Sequence, residues 1–276
     1  TILNQGYGGA VALNSASATI SSNSLEANVA ATGLGFGGGL YMIRSTATIV
    51  DNVFHGNDAG STGYGGAFYG QISEATFSRN VVLSSTAQYG ALFPEGISPF
   101  TVTNNIIAQN EGGIFVRGNP TFGVDAIVVN NTFAYNDDYG VYVGVRSGSD
   151  SAIVMTNNII VSHSVGIHVE DEPTNGVTAT HTLFYGNGLD TDGANIASTN
   201  EITGSDPLFT EGAGTIYVLQ PGSPAIDAGT LVPWLTTDID GAPRPIGDAY
   251  DIGAYETEGV VIRRIYMPSV LGSHQP

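Results

Sequence analysis

The chain has no cysteine, no lysine and a single tryptophan, and only 12% of its residues are charged. Without cysteine there is no disulfide framework, no thiolate metal site and no cysteine nucleophile. Seven arginines stand against 25 acidic residues, a net charge of −18. So acidic a surface argues against nucleic acid or an anionic membrane as partner, and disfavours a polyanionic substrate unless cations bridge it. No apolar run is long enough to span a bilayer, and no segment reads as a helix. No secretory leader precedes Thr1, and the chain starts inside a repeat, so it reads as a mature or trimmed chain. His55, His163, His168, His181 and His274 show no zinc-ligand spacing.

What the chain does have is glycine, 38 residues of it, and a repeat. The stretch Ala47-Thr-Ile-Val-Asp-Asn-Val-Phe-His-Gly-Asn57 recurs in variant form. Its first asparagine returns as Asn23, Asn52, Asn80, Asn105, Asn131 and Asn158, at steps of 29, 28, 25, 26 and 27 residues. Five positions later come Asn28, Asn57, Ser85, Asn110, Asn136 and His163. Apolar residues flank each asparagine at −3 (Ile20, Ile49, Phe77, Val102, Val128, Met155) and +2 (Leu25, Phe54, Val82, Ile107, Phe133, Ile160). Alternating β-branched and aromatic positions predict three short strands per repeat, with no room for a strand-helix-strand unit. Such a unit cannot bury its own apolar face, so the repeats must stack as coils of a parallel solenoid. Asparagine suits a turn, because it tolerates the left-handed conformation and its amide can bond to the coils above and below.

On these residues, roughly 1–190, the chain resembles the right-handed parallel β-helices of the pectate-lyase-like superfamily. The resemblance implies an all-β, single-stranded right-handed parallel β-helix of about seven to eight coils with an asparagine ladder. The family hosts lyases, hydrolases, adhesins and structural proteins alike, so it does not fix the function. After the solenoid (1–190) a turn-rich β extension (191–259) is expected to close it. There Gly222-Ser-Pro-Ala-Ile-Asp-Ala-Gly229, Asp238-Ile-Asp-Gly-Ala-Pro-Arg-Pro245 and Asp251-Ile-Gly-Ala-Tyr-Glu256 resemble the end of choice-of-anchor bacterial surface proteins. An apolar tail follows (260–276), carrying Ile262, Ile265, Tyr266, Met267 and Val270, for capping, attachment or assembly. No amphipathic helix precedes Gly8-Gly9, so the first coil is expected to be open to strand pairing.

Counting each coil from its glycine places one outward residue per strand in a row: Val11, Tyr41, Phe68, Leu92, Phe115, Tyr142, His168. An exposed aromatic stripe of this kind marks a contact surface, for glycan or for assembly, unless the rings simply stack to support the strands. A second aromatic row, Tyr7, Phe36, Tyr64, Tyr89 and Tyr139, precedes the glycines. Inserts after Arg117, Arg146 and Glu170 would build a site if there is one.

Three chemistries bear on this chain. Glycoside hydrolysis needs two carboxylates about 5–10 Å apart; Asp137, Asp138 and Glu170 are the nearest candidates and do not form the family's pattern. A polysaccharide lyase acting on uronate-containing polymers needs a base near the α proton and a cation on the carboxylate, and Arg117, Tyr142, Arg146 and His168 supply both types on three consecutive coils. Calcium would need hard oxygen ligands, for which Asp190, Asp192, Asp238 and Asp240 in two Asp-x-Asp-Gly pieces are weak candidates; no other cofactor is expected. The sequence therefore favours an extracellular or cell-surface structural or binding protein, either self-assembling or binding extracellular polysaccharide through Tyr41, Phe68, Phe115, Tyr142 and His168. The lyase is the alternative.

Overall fold

A computed structural model describes residues 5–119, 121–145, 150–210 and 216–257. Arg146 and the tail residues Ile262, Ile265, Tyr266, Met267 and Val270 lie outside the described residues. The fold is a parallel β-solenoid in which every strand pairs with its counterpart one coil away. Three eight-stranded sheets run along it. The first sheet begins with Val11–Asn14 and ends with Leu189–Gly193, the second runs from Ser17–Ser21 to Ile196–Thr199, and the third from Ser24–Glu26 to Ile202–Thr203. The sheets thus continue past residue 190, where the sequence repeat fades. No helix occurs among the described residues.

Alternation along each strand sends one set of side chains inward, where Leu40, Ile49, Phe54, Phe68, Phe77, Val102, Phe133 and Phe184 form one continuous core. Their rings and branched chains stack by row, because identical registers repeat from coil to coil.

The turn between the second and third sheets holds the expected ladder. Asn23, Asn52, Asn80, Asn105 and Asn131 each donate their amide to the Oδ1 of the next asparagine along the axis, at 2.9–3.1 Å, and the run ends on Asn158. The same oxygens accept the backbone N–H of the coil before. The left-handed residue, however, is the one before the ladder asparagine. Ser22, Asp51, Arg79, Asn104, Asn130 and Asn157 have φ between 51° and 58°. The ladder asparagine is therefore chosen for its amide rather than for a permissive backbone. A second ladder, from Asn28 to Asn57 and from Asn110 through Asn136 and His163 to Asn187, lines the turn between the third and first sheets.

The C-terminal extension packs along the side of the solenoid. Leu219, Ala225, Ile239, Ile252, Ala254 and Tyr255 cover the outer face of the third sheet at Leu83, Ile106, Ala108, Ile159 and Val161. Three left-handed asparagines hold it. Asn104 Nδ2 donates to Thr237 O (2.7 Å), Asn130 Nδ2 to Asp251 O (2.8 Å) and Asn157 Nδ2 to Thr230 O (2.8 Å). Arg244, fully buried, ties the clasp by donating to Glu256 Oε1 at 2.6 Å and Asn104 Oδ1 at 3.0 Å.

Candidate functional site

The outer face of the first sheet carries the predicted residues, with one correction. Strand pairing aligns Tyr41, Tyr69, Phe93, Phe115, Tyr142 and His168 in one outward row. Phe68 faces inward, with none of its surface exposed, and so do Leu92 and the partly buried Val11. The glycine frame slips by one in these coils. The position before the first core residue of the strand is Gly39, Gly113, Gly140 or Gly166 in four coils but Ala10, Ala67 or Ala91 in the others, and in those coils the glycine lies one place earlier. Phe68 is therefore a core residue and cannot belong to a binding face; Tyr69 takes its place.

The aromatic row is a continuous stack. Centroids lie 5.7 Å apart from Tyr41 to Tyr69 and from Tyr69 to Phe93, 5.1 Å from Phe93 to Phe115, and 4.5 Å from Phe115 to Tyr142 and from Tyr142 to His168. The second row, Tyr7, Phe36, Tyr64 and Tyr89, stacks in the same way beside it. Rings of the two rows meet edge to face, as at Tyr64 and Phe93 with 5.0 Å and 79°. Such arrangements match the ring quadrupoles and add about 0.5–1.5 kcal/mol per pair. The rings cover one another, so Tyr69, Phe93, Phe115 and Tyr139 are buried. Of the two expectations for this row, a contact stripe or rings stacked to support the strands, the stacking is present, and it follows from unbroken parallel register, which brings like side chains together at strand spacing; Tyr41, Tyr142 and His168 remain half-buried.

Polar groups line the far edge of this face. Gln71, Glu95, Arg117 and Gly144 follow one another in register. Glu95 is only 3% exposed and accepts the Tyr69 hydroxyl at 2.5 Å, while Arg117 reaches it at 3.5 Å. The Arg117 guanidinium lies over the Phe93 ring at 5.0 Å and the Tyr64 ring at 5.2 Å. Two coils on, the Tyr142 hydroxyl donates to Glu170 Oε1 at 2.6 Å, and His168 Nδ1 lies 2.8 Å from Asp192 Oδ2. Burial, and then the carboxylate beside it, push the Tyr142 phenol well above its ordinary pKa; the same two causes raise Tyr69 further. Neither phenol is poised to give up a proton near neutral pH.

Tyr142 and His168 are thus brought together, as their spacing suggested, but Arg117 is turned to Glu95 and two stacked rings. Asp137 and Asp138 sit exposed in a turn, with Glu170 committed to Tyr142. Of the calcium candidates, Asp190 accepts an amide hydrogen from Asn187, Asp192 faces His168, and both lie in a strand rather than a turn. Asp238 accepts the amides of Asp240 and Ala242 on Oδ1 and that of Glu256 on Oδ2. Among the described residues, no three histidine, aspartate or glutamate side chains gather as a metal would need.

Three features that matter here escaped the sequence reading: Tyr69, Glu95 and the first asparagine of each doublet (Asn104, Asn130 and Asn157). A signal existed for two of them. Tyr41 and Tyr69 both stand eleven positions ahead of a ladder asparagine. The doublets Asn104-Asn105, Asn130-Asn131 and Asn157-Asn158 occur only where the extension docks, whereas the earlier coils have Ser22, Asp51 and Arg79 in that place.

Among the described residues no helix is long and apolar enough to cross a membrane. No curated protein matches the chain. The family described as the right handed beta helix region matches residues 38–209. With well over half its length matched and the solenoid in place, the chain belongs to the right-handed beta-helix family.

Proposed function

We propose that this chain is a secreted or cell-surface structural and binding rod that assembles end to end. The observation that carries it is the open last coil. Among the described residues, Leu189–Gly193, Ile196–Thr199 and Ile202–Thr203 each have a strand partner on one side only. Three parallel edges in one plane are a template for further pairing. Val11–Asn14, Ser17–Ser21 and Ser24–Glu26 offer the matching edges at the other end. A contact between unlike ends does not close, so it propagates as a filament. The extension is compatible with this reading, because its apolar residues pack on the outer face of the third sheet, along the side of the solenoid.

Glycan binding along the aromatic row has less support, since each interior ring presents its faces to other rings. The lyase has less again. Its arginine is held by Glu95, its tyrosine is a poor acid, and the carboxylates Glu170 and Asp192 would repel a uronate. The test is light scattering against concentration for the wild type and for Ile196→Lys, which sets a charge at the exposed end of the core row. Mass rising with concentration in the wild type alone supports end-to-end assembly. A monomer at every concentration overturns it, and unsaturated products from a panel of uronate polymers, lost in His168→Ala, would replace it with the lyase.

A further inference from the structure

The outer face of the second sheet has no part in that reading, and its composition is unlike the rest of the molecule. Thr19, Thr48, Thr76 and Thr101 stand in register down one row, which continues through Ile127 and Val154 to Thr178. Two positions further along each strand a parallel row adds Ser21, Ser78, Thr156, Thr180 and Thr199. Four of the eight strands therefore show an outward hydroxyl-x-hydroxyl pair: Thr19 and Ser21, Thr76 and Ser78, Thr101 and Thr103, Thr178 and Thr180. Neither row contains a charged residue, on a chain of net charge −18, and neither contains an aromatic ring. The extension packs on Val129 in the second row, where Thr103 is also buried, and Thr48, Thr76, Ile127, Val154 and Thr178 are exposed.

We propose that this face binds ice. The rows form a two-dimensional lattice, with hydroxyls and methyls repeating at about 4.8 Å across strands and about 6.7 Å along them. Threonine and valine are stiff at χ1, so little side-chain freedom is lost when a rigid partner is met. The two rows themselves carry no charge, Glu74 and Asp125 standing outward at the start of their strands beside Thr76 and Ile127, and the methyls and hydroxyls of the rows together order and anchor water. A partner that matches the rows is periodic in two dimensions, with hydrogen-bonding groups a few ångströms apart, and an ice surface is both. A crystalline polysaccharide would find no ring to stack on.

The experiment is slow freezing of dilute purified protein onto a cold finger, comparing the wild type with Thr48→Lys/Thr76→Lys. Both positions are exposed, and a melting curve confirms that the double variant is folded. Inclusion of the wild type in the ice with faceted crystals, and exclusion of the double variant, is the expected result. Equal exclusion of both proteins overturns the proposal. So does an ultracentrifugation profile in which the wild type, excluded from ice, self-associates through this face and the variant does not. The measurement is made below the concentration at which rods join, so failure of end-to-end assembly leaves it unaffected.

Discussion

His163 interrupts the second ladder at a position where an asparagine would fit, and replacing it isolates its contribution to stability. Asn136 Nδ2 can only donate, so His163 Nε2 accepts from it at 3.0 Å; Asn187 Oδ1 can only accept, so Nδ1 carries the proton and donates at 3.0 Å. Protonating Nε2 would set two donors against each other inside the protein. Burial, opposed only by the Asn187 bond, lowers the pKa from 6.5 to about 4. The unfolded chain takes up its proton near 6.5, before the folded one does. Stability from this site is therefore complete above pH 6.5 and falls as pH drops from 6.5 to 4, by roughly 3 kcal/mol in all. Asp251 works in the opposite sense. Burial raises its pKa from 3.8 to about 7, so its protonation favours the folded state as pH falls from 7 towards 3.8. The two effects mask each other in the wild type, but Asp251 is common to both proteins and cancels in a comparison with His163→Asn. Urea midpoints at pH 7.5, 6, 5 and 4, read with a common slope, should show the wild type losing about 3 kcal/mol relative to His163→Asn between the extremes. Parallel pH profiles would refute the assignment of that ring as a neutral ladder member.

Asn131→Ala should cost about 3–5 kcal/mol in chemical denaturation, because it strands several buried partners, among them Val102 O and Asn105 N, at about 1–3 kcal/mol each before relaxation. Arg244→Leu leaves Glu256 without its arginine in a fully buried pair, a loss on the order of 3–5 kcal/mol. That loss falls on the clasp, so limited proteolysis should release the extension while the solenoid's β signal persists; cleavage unchanged from wild type would count against the clasp. By contrast, Arg79→Ala removes an exposed pair with Asp51 at 2.7 Å and should move the denaturation midpoint by less than about 1 kcal/mol.

The solenoid was legible because its period is written in residues that must repeat: the ladder asparagines and the apolar positions on either side of them. Alternation within two- to six-residue strands then fixed the inward set wherever the frame was right. Ala67 and Ala91 show where it failed. A tight position before the strand accepts alanine as well as glycine, so anchoring on glycine moved Phe68 and Leu92 to the wrong face. The extension's seat was half legible, since the Asn-Asn doublets mark it, but its partners are backbone carbonyls that no spacing announces. The candidate site was the least legible part. Arg117, Tyr142 and His168 do share one face, but which carboxylate each would meet depended on Glu95, Glu170 and Asp192 lying one coil away in register. Sequence distance hides such pairs, because neighbours in a solenoid are about 25 residues apart.

Electron microscopy of the purified chain at moderate concentration tests the central claim most directly. The open strand edges predict filaments whose axial repeat is one solenoid length and which are lost in Ile196→Lys. Isolated short rods at every concentration, with no difference between the two proteins, would contradict it.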